Sequence, residues 1–291
     1  MNQKTLFVVN PIAGGNDKTD IIDAVNAHAT ASGIELITYE TTGEDDEKAI
    51  LALYHEHKPG RVIVSGGDGT IKSIGETLET EEVIIGIIPS GSANGLAVDL
   101  DFPTTIEEQI AIAFDDHTME VDMISINGIK SLHLSDIGLN AEMIKRYENG
   151  TIRGKLGYAI QAVSTLTSSE GPFMATISAN GQTLETEAKM IVMANSQKYG
   201  TGVTINPSGK MDDGLFEIVV LKNLDFSVFS KIVMGNIPVD TGEVEIITTD
   251  AATIVTQVPV HFQVDGEYCG EETKLDIKIL HRQMRLAVPR P

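Results

Sequence analysis

Cysteine is nearly absent from this 291-residue chain, with Cys269 standing alone. A single thiol excludes an internal disulfide and gives no basis for a thiolate metal cluster. Long apolar runs are missing as well; none approaches the roughly 20 residues that a helix needs to cross a bilayer. Met1-Asn2-Gln3-Lys4-Thr5 leads straight into a strand-like run, which does not suit a secretory signal. Cations are scarce: 21 Lys and Arg against 42 Asp and Glu leave a formal net charge of −21. Lys and Arg never cluster beyond two neighbours. That speaks against nucleic acid, whose phosphates demand a basic face, and against polybasic docking on anionic lipid. A nucleotide remains compatible, because a bound Mg²⁺ offsets part of its charge. The seven histidines, His55 and His57 among them, show no metal-ligand spacing. Ser65 and Ser196 lack a Gly-x-Ser-x-Gly setting, which argues against a hydrolase triad. A hydrophobic content of 42% is ordinary for a globular chain, and the expectation is a soluble, cytoplasmic protein.

What is present falls into two halves. Over the first 100 residues, short aliphatic runs alternate with helical patterns. Leu6 to Asn10, Ile34 to Tyr39, Val62 to Val64 and Ile84 to Ile88 read as strands; residues 18–31, 46–57 and about 70–78 read as helices. Continuous aliphatic strands between helices predict a parallel sheet covered on both faces. From about Met119 the pattern turns to alternating strands. Asn127-Gly128 and Asn180-Gly181 suit two-residue hairpins, since both residue types tolerate positive φ. Strands are expected at 174–179, 184–188, 189–194, 215–221, 244–248, 252–256, 260–264 and 273–280, and helices at 140–148, 154–167 and 226–234. The second half therefore reads as antiparallel and β-rich, sandwich-like. The expected division is an α/β domain over 1–122, a β-rich domain over 123–281, and a return to the first domain over 282–291. No flexible linker separates the halves, which suggests a ligand cleft between them. The apolar stripe Leu156, Ile160 and Val163 reads as core rather than a membrane anchor, with a rim role at a lipid entrance the alternative.

Three turns follow three of the expected parallel strands. The strongest is Ser65-Gly66-Gly67-Asp68-Gly69-Thr70, where glycines let the backbone approach a ligand and a helix start offers free N–H groups to an anion. Asp68 there either orders the loop or reaches a phosphate-bound Mg²⁺. Asn10-Pro11-Ile12-Ala13-Gly14 follows the first strand, and Pro89-Ser90-Gly91-Ser92-Ala93-Asn94-Gly95 follows the fourth. In a parallel sheet these turns share the carboxyl edge, where open α/β sheets bind ligands. Neither a Walker loop nor a Gly-x-Gly-x-x-Gly motif after the first strand is present.

These three motifs together resemble the diacylglycerol kinase catalytic-domain family, which includes bacterial soluble diacylglycerol kinases, related lipid kinases and sphingosine kinases. The resemblance continues through Asn195-Ser196-Gln197-Lys198-Tyr199-Gly200, Pro207, Lys210-Met211-Asp212-Asp213-Gly214-Leu215-Phe216 and Val264-Asp265-Gly266-Glu267, and so spans nearly the whole chain. It implies an N-terminal α/β domain with a parallel sheet like those of NAD kinase and phosphofructokinase, followed by an all-β, sandwich-like lipid domain. The implied activity is ATP- and Mg²⁺-dependent phosphorylation of a hydroxyl on diacylglycerol or a sphingoid-like lipid. Carried over by motif, the ATP contacts would be Asn10, Pro11, Ile12, Ala13, Gly14, Gly66, Gly67, Asp68, Gly69, Thr70, Ile71, Lys72 and Ser92. Thr41 joins them only by its place after the second strand. Glu267 would be the general base, with Asp265 and Asp68 the other catalytic acids. A structural Mg²⁺ would sit on the Asp213 carboxylate and the carbonyls of Lys210 and Leu215.

The residues bear on these assignments in their own terms. If the strand runs through, Asp265 and Glu267 project to one face and bring two carboxylates together; Asp265-Gly266 equally suits a hairpin turn. Many diacylglycerol kinases carry Gly-Thr-x-Asn-Asp where this chain has Gly91-Ser92-Ala93-Asn94-Gly95, a run closer to that of sphingosine kinases. The rival readings are an NAD kinase, against which Gly95 after Asn94 counts, and a catalytically silent nucleotide-binding regulator. Expected partners are ATP and a lipid substrate at a membrane surface, reached transiently and without a transmembrane segment; pairing of two copies is left open.

Overall fold

A computed structural model describes residues 4–139, 141, 171–198, 204–223 and 242–290. The helices expected at 140–148, 154–167 and 226–234, and Tyr199-Gly200 of the resemblance, lie outside the described residues. The chain divides into two compact units, Met1–Val121 with Arg282–Pro291, and Asp122–His281. Among the described residues no helix is long and apolar enough to cross a membrane.

The first unit is built from β1 (Lys4–Val9), α1 (Thr19–Ala31), β2 (Glu35–Glu40), α2 (Asp46–His57), β3 (Arg61–Gly66), α3 (Asp68–Thr77), β4 (Ile84–Pro89), α4 (Gly95–Asp99), α5 (Ile106–Ala113) and the start of β5 (Thr118–Ile126). Its sheet runs β2-β1-β3-β4 with every pair parallel, and Arg285 and Leu286 of the last strand add beside Ile84 and Ile85. β3 is buried along its whole length, as a strand covered by helices on both faces must be. Phe7, Val9, Ile63 and Ile88 pack with Val25 of α1 and Ile110 of α5 into one core. Full burial of each such side chain contributes about 1.5–3 kcal/mol. Because β2 and β3 flank β1 on opposite sides, the connections diverge there. That switch point puts the ends of β1 and β3 next to each other at the carboxyl edge.

The second unit holds the rest of β5, β6 (Ile129–Ser131), β7 (Leu134–Gly138), β8 (Phe173–Ala179), β9 (Gln182–Ala188), β10 (Met190–Ala194), β11 (Phe216–Leu221), β12 (Val244–Thr249), β13 (Ala251–Val264) and most of β14 (Glu267–Ala287). Pairing is antiparallel throughout. β10 and β11 are buried on both faces. Met190, Val192, Ala194, Val219 and Leu221 join one apolar cluster, while Ile191, Met193, Ile218 and Val220 join a larger one with Phe173, Ile177, Ile254 and Phe262. The fold class is thus an α/β domain with a parallel sheet followed by an antiparallel, sandwich-like β domain. Asn127-Gly128 and Asn180-Gly181 both take positive φ and join adjacent strands. One difference from the sequence pattern is strand length. The segments expected at 252–256 and 260–264 form a single strand, β13, with a register shift between Val255 and Val260, and β14 runs for 21 residues. The Gln257-Val258-Pro259 interruption breaks the alternation but not the strand, because β14 supplies partners on either side of it.

Candidate active site

The turn after β1 is organised by Asn10. Its amide N–H donates to the Ser65 carbonyl at 2.8 Å, its Oδ1 accepts from the Ile12 N–H at 3.2 Å, and its Nδ2 donates to Thr70 Oγ1 at 2.9 Å. One side chain therefore shapes its own turn and ties it to the start of α3. Gly14 follows at φ +64°, and a Cβ there would lie 2.6 Å from the Ser90 carbonyl oxygen. A Cβ on Gly91 would lie 2.5 Å from Gly67 Cα. Glycine is needed at both places because the turns after β1, β3 and β4 touch backbone to backbone. Ser65 and Ser90 bring their hydroxyls within 3.1 Å, and Asn94, at φ +55°, closes its own loop by accepting from the Gly91 N–H at 2.7 Å.

Asp68 is the knot of this arrangement. It opens α3, and its two carboxylate oxygens accept from the N–H groups of Gly95 at 2.8 Å and Leu96 at 3.0 Å. Of the two roles open from the sequence, the contacts display the ordering one: Asp68 clamps the loop after β4 onto the loop after β3. These bonds also satisfy the first amides of the short helix α4, which would otherwise lack acceptors.

The sequence-derived contact residues are not equivalent. Asn10, Gly14, Gly66, Gly67, Asp68, Thr70 and Ser92 all lie on the three touching turns, and Pro11, Ile12 and Ser92 are exposed. Thr41 continues the ladder at the same edge, its N–H donating to the Val9 carbonyl at 2.8 Å. Gly69 has open space where a Cβ would be, and Lys72 is half-buried in α3. Ile71 is a correction: it is 1% exposed in the core and its amide is bonded to the Gly67 carbonyl, so it contributes packing and no crevice surface. Lys18 was not legible as a site residue. It is 5% exposed, and its Nζ donates to the carbonyls of Ala13 at 2.6 Å and Ser90 at 3.1 Å. No motif marks it, because a lysine between Asp17 and Thr19 looks like any solvated residue.

In the second unit the acidic motifs separate. Val264 pairs with Glu267, and Asp265 at φ +49° and Gly266 at φ +90° form the two-residue turn between them. The expectation that Asp265 and Glu267 share one face of a strand is therefore corrected: the turn parts them. Asp265 faces the β6–β7 connection, where its carboxylate accepts from Ser131 Oγ, the Leu132 N–H and the His133 N–H, each at 2.9 Å. The turn is held on its other flank by Gln263, whose Oε1 accepts from the Gly266 N–H at 2.7 Å and whose Nε2 donates to the buried Asp136. Glu267 is exposed, and its carboxylate has no hydrogen-bond partner among the described residues. Asp265 is thus anchored, while among the described residues the Glu267 carboxylate is not.

The Lys210–Leu215 loop is the expected Mg²⁺ holder. Asp122, 2% exposed, shapes it by donating its N–H to the Met211 carbonyl at 2.7 Å and accepting from the Gly214 N–H at 2.8 Å. Asp213 is exposed and accepts from the Leu215 N–H at 3.1 Å. Burial pushes the neighbouring Glu217 carboxyl up from its ordinary range; hydrogen bonds from Asn206 and Thr248 partly offset this, and the Asp213 charge adds to it. A cation on Asp213 would relieve that last effect. No group of three or more His, Cys, Asp or Glu side chains is poised to hold a metal among the described residues. One carboxylate, carbonyls and water suit a hard ion such as Mg²⁺.

Comparison with known proteins agrees in both units. Residues 4–126 match the diacylglycerol kinase catalytic domain family, and residues 135–288 match the YegS C-terminal NAD kinase beta sandwich-like domain. A diacylglycerol kinase of Staphylococcus haemolyticus is 24% identical over 302 residues, covering 100% of this chain and 89% of its own. A diacylglycerol kinase of Mycobacterium tuberculosis is 23% identical over 279 residues, covering 91% of this chain and 89% of its own. A crystal structure of a diacylglycerol kinase from Bacillus anthracis superimposes with a TM-score of 0.76 at 22% identity, over 99% of this chain and 97% of that one; it bears on the fold.

Proposed function

This chain belongs to the diacylglycerol kinase catalytic-domain family, and from that membership we propose that it transfers the γ-phosphoryl group of ATP to a lipid hydroxyl. The substrate class is diacylglycerol or a sphingoid-like amphiphile. The observation that carries the reading is the trio of glycine-rich turns in the first unit, after β1, β3 and β4, locked together by Asn10, Asp68 and Lys18. Phosphoryl transfer asks mainly for positioning and charge stabilisation, and a rigid set of backbone N–H groups at a helix start supplies both for a phosphate chain. Asn10 to Gly14, Gly66 to Thr70 and Ser92 form the nucleotide cradle in this reading, with Thr41 and Lys72 at its margin. Asp68 holds the cradle's shape.

Glu267 is the proposed general base. It takes the proton of the lipid hydroxyl as the hydroxyl oxygen bonds to the γ-phosphorus and the bond to the β-phosphate oxygen of ATP breaks, leaving ADP. A base needs a free carboxylate on a fixed backbone, and the turn anchored by Asp265 and Gln263 provides that backbone. Lys210, Asp213 and Leu215 would hold a structural Mg²⁺, which supplies charge neutralisation beside the buried Glu217. The test is transfer of radiolabelled phosphate from ATP to a panel of lipid alcohols, with NAD included as an acceptor. Labelled lipid supports the reading; labelled NAD without labelled lipid replaces it with the NAD kinase alternative, and no transfer to any acceptor favours a silent nucleotide binder.

A further inference from the structure

Lys18 is the one lysine among the buried described residues. An ammonium group has three N–H donors, and two of them meet neutral carbonyls, Ala13 at 2.6 Å and Ser90 at 3.1 Å. Among the described residues no carboxylate comes within 4.0 Å of its nitrogen, in a chain with 42 acids. Asp17, next to it in sequence, is exposed and directs its carboxylate to the Thr19 N–H at 3.0 Å and the Thr19 hydroxyl at 2.8 Å. Buried charges in proteins are normally paired, because removing an unpaired one from water is costly. This one is held in place by two loops, one of them 72 residues away in sequence, and among the described residues no carboxylate is in ion-pair contact with it; the exposed Asp17 acts on it only through its field.

Its position says which ligand chemistry the charge suits. The two carbonyls belong to the turn after β1 and the turn after β4. At that junction Gly14 lies against Ser90, and Gly91 lies against Gly67, one residue before α3. The turns that hold the ammonium therefore meet one another through glycine backbone. The N-terminus of α3, a helix of 10 residues, opens at the same junction, with Asp68 as its first residue turned to the Gly95 and Leu96 amides. A cation fixed by two backbone carbonyls where glycine turns meet beside a helix start is complementary to an oxyanion chain.

We propose that Lys18 is the fixed cation of the crevice: a positioning residue that welds the two turns through the Ala13 and Ser90 carbonyls and supplies the positive charge that holds the phosphates of the nucleotide. This role rests on the nucleotide reading above and adds to it a residue that no motif carries. Polarising the Ala13–Gly14 and Ser90–Gly91 peptides strengthens the adjoining N–H groups as donors, so the charge acts even where the ammonium itself makes no contact.

The experiment is calorimetric titration of the intact protein with ATP, inorganic tripolyphosphate and adenosine, for the parent, Lys18→Met and Lys18→Gln. Lys18→Met keeps the length of the side chain without charge, and Lys18→Gln keeps a donor for one carbonyl. The expected result is a loss of at least about tenfold in affinity for ATP and tripolyphosphate, about 1.4 kcal/mol, with adenosine unchanged within about twofold. Equal losses for ATP and adenosine would mean a merely structural residue and overturn the proposal, as would unchanged ATP affinity in a variant that melts like the parent. If neither variant folds, the ¹⁵Nζ resonance of the buried Lys18 in the parent is followed as tripolyphosphate is added. A shift supports the proposal and an unmoved resonance overturns it. A parent that binds neither ATP nor tripolyphosphate sinks the nucleotide reading together with this role; a parent that binds ATP no better than Lys18→Met sinks the role alone.

Discussion

At the turn after β3, Asp68 gives both carboxylate oxygens to the amides of Gly95 and Leu96, whereas at the start of β14 Glu267 gives neither to any described residue. The two acids lie in the motifs the sequence marks most strongly, and the fold uses them in opposite ways. In the crevice of the first unit, the polar side chains knit loop to loop and leave backbone as the working surface. In the turn of the second unit, Asp265 and Gln263 take up the structural load and leave one carboxylate uncommitted. The contrast teaches that an acid in a motif is assigned by what its oxygens already hold. A fully engaged carboxylate reports on shape; an unengaged one on a rigid turn is available for chemistry.

The sharpest way to break this comparison is to neutralise the free acid. Glu267→Gln keeps the shape but cannot accept the proton, and loss of a positioned base costs about 10²–10⁴-fold in rate. Turnover should fall by that factor while melting temperature and ATP affinity stay near those of the parent. A variant that instead melts early would show Glu267 to be structural and erase the contrast.

Asp68→Asn should fail differently and by less. Asparagine offers one oxygen, so its NH₂ must face either the Gly95 or the Leu96 amide, donor against donor. Leaving such a group unsatisfied costs about 1–3 kcal/mol. The expected outcome is a lower melting temperature together with at least about a tenfold loss of kcat/KM, carried by a raised KM for ATP. A fall in kcat alone, with unchanged melting, would move Asp68 from shape to chemistry.

Asp213→Asn sharpens the comparison within the second unit. An ion that binds only the native state stabilises it by mass action, so the parent should melt higher in Mg²⁺ and the variant should respond much less. Turnover at saturating substrate should change little while the domain stays folded. A full Mg²⁺ response in the variant would remove Asp213 from the ion site.

The smallest effects are in pH dependence, and their signs differ between the units. In the first, burial pushes the Asp46 carboxyl up, but the N–H groups of Thr42 and Gly43 and the hydroxyls of Tyr39 and Thr42 outweigh this and hold it below its ordinary 3.8. Its contribution to stability is present above 3.8 and lost as pH falls through the lowered value. In the second, Glu217 is raised above its ordinary 4.5, so the native state holds that proton more tightly than the unfolded chain. That contribution is present below 4.5 and lost as pH rises through the raised value. Denaturant titrations across this range should lose the acid-side slope in Asp46→Asn and the opposite slope in Glu217→Gln. Unchanged slopes in both variants would show that neither group carries the linkage.

The sequence by itself determined the order of strands and helices in the first unit, the Asn-Gly hairpins of the second and the three glycine turns. Those signals are local: aliphatic runs need covering, and glycine or asparagine marks backbone that few other residues adopt. Interrupted patterns were less legible. β13 continues past Pro259, and Asp265-Gly266 turns where a strand was equally readable, because pairing with β14 decides both. Only the tertiary structure decided which acid is free, since the donors that occupy Asp68 lie 27 and 28 residues away and those that occupy Asp265 lie 132 to 134 away. It alone buried Lys18, by bringing the Ser90 carbonyl across 72 residues. A side chain's type is written in the chain, but its burial and its partners are properties of residues remote in sequence, and these set whether a charge holds the fold together or is left to act.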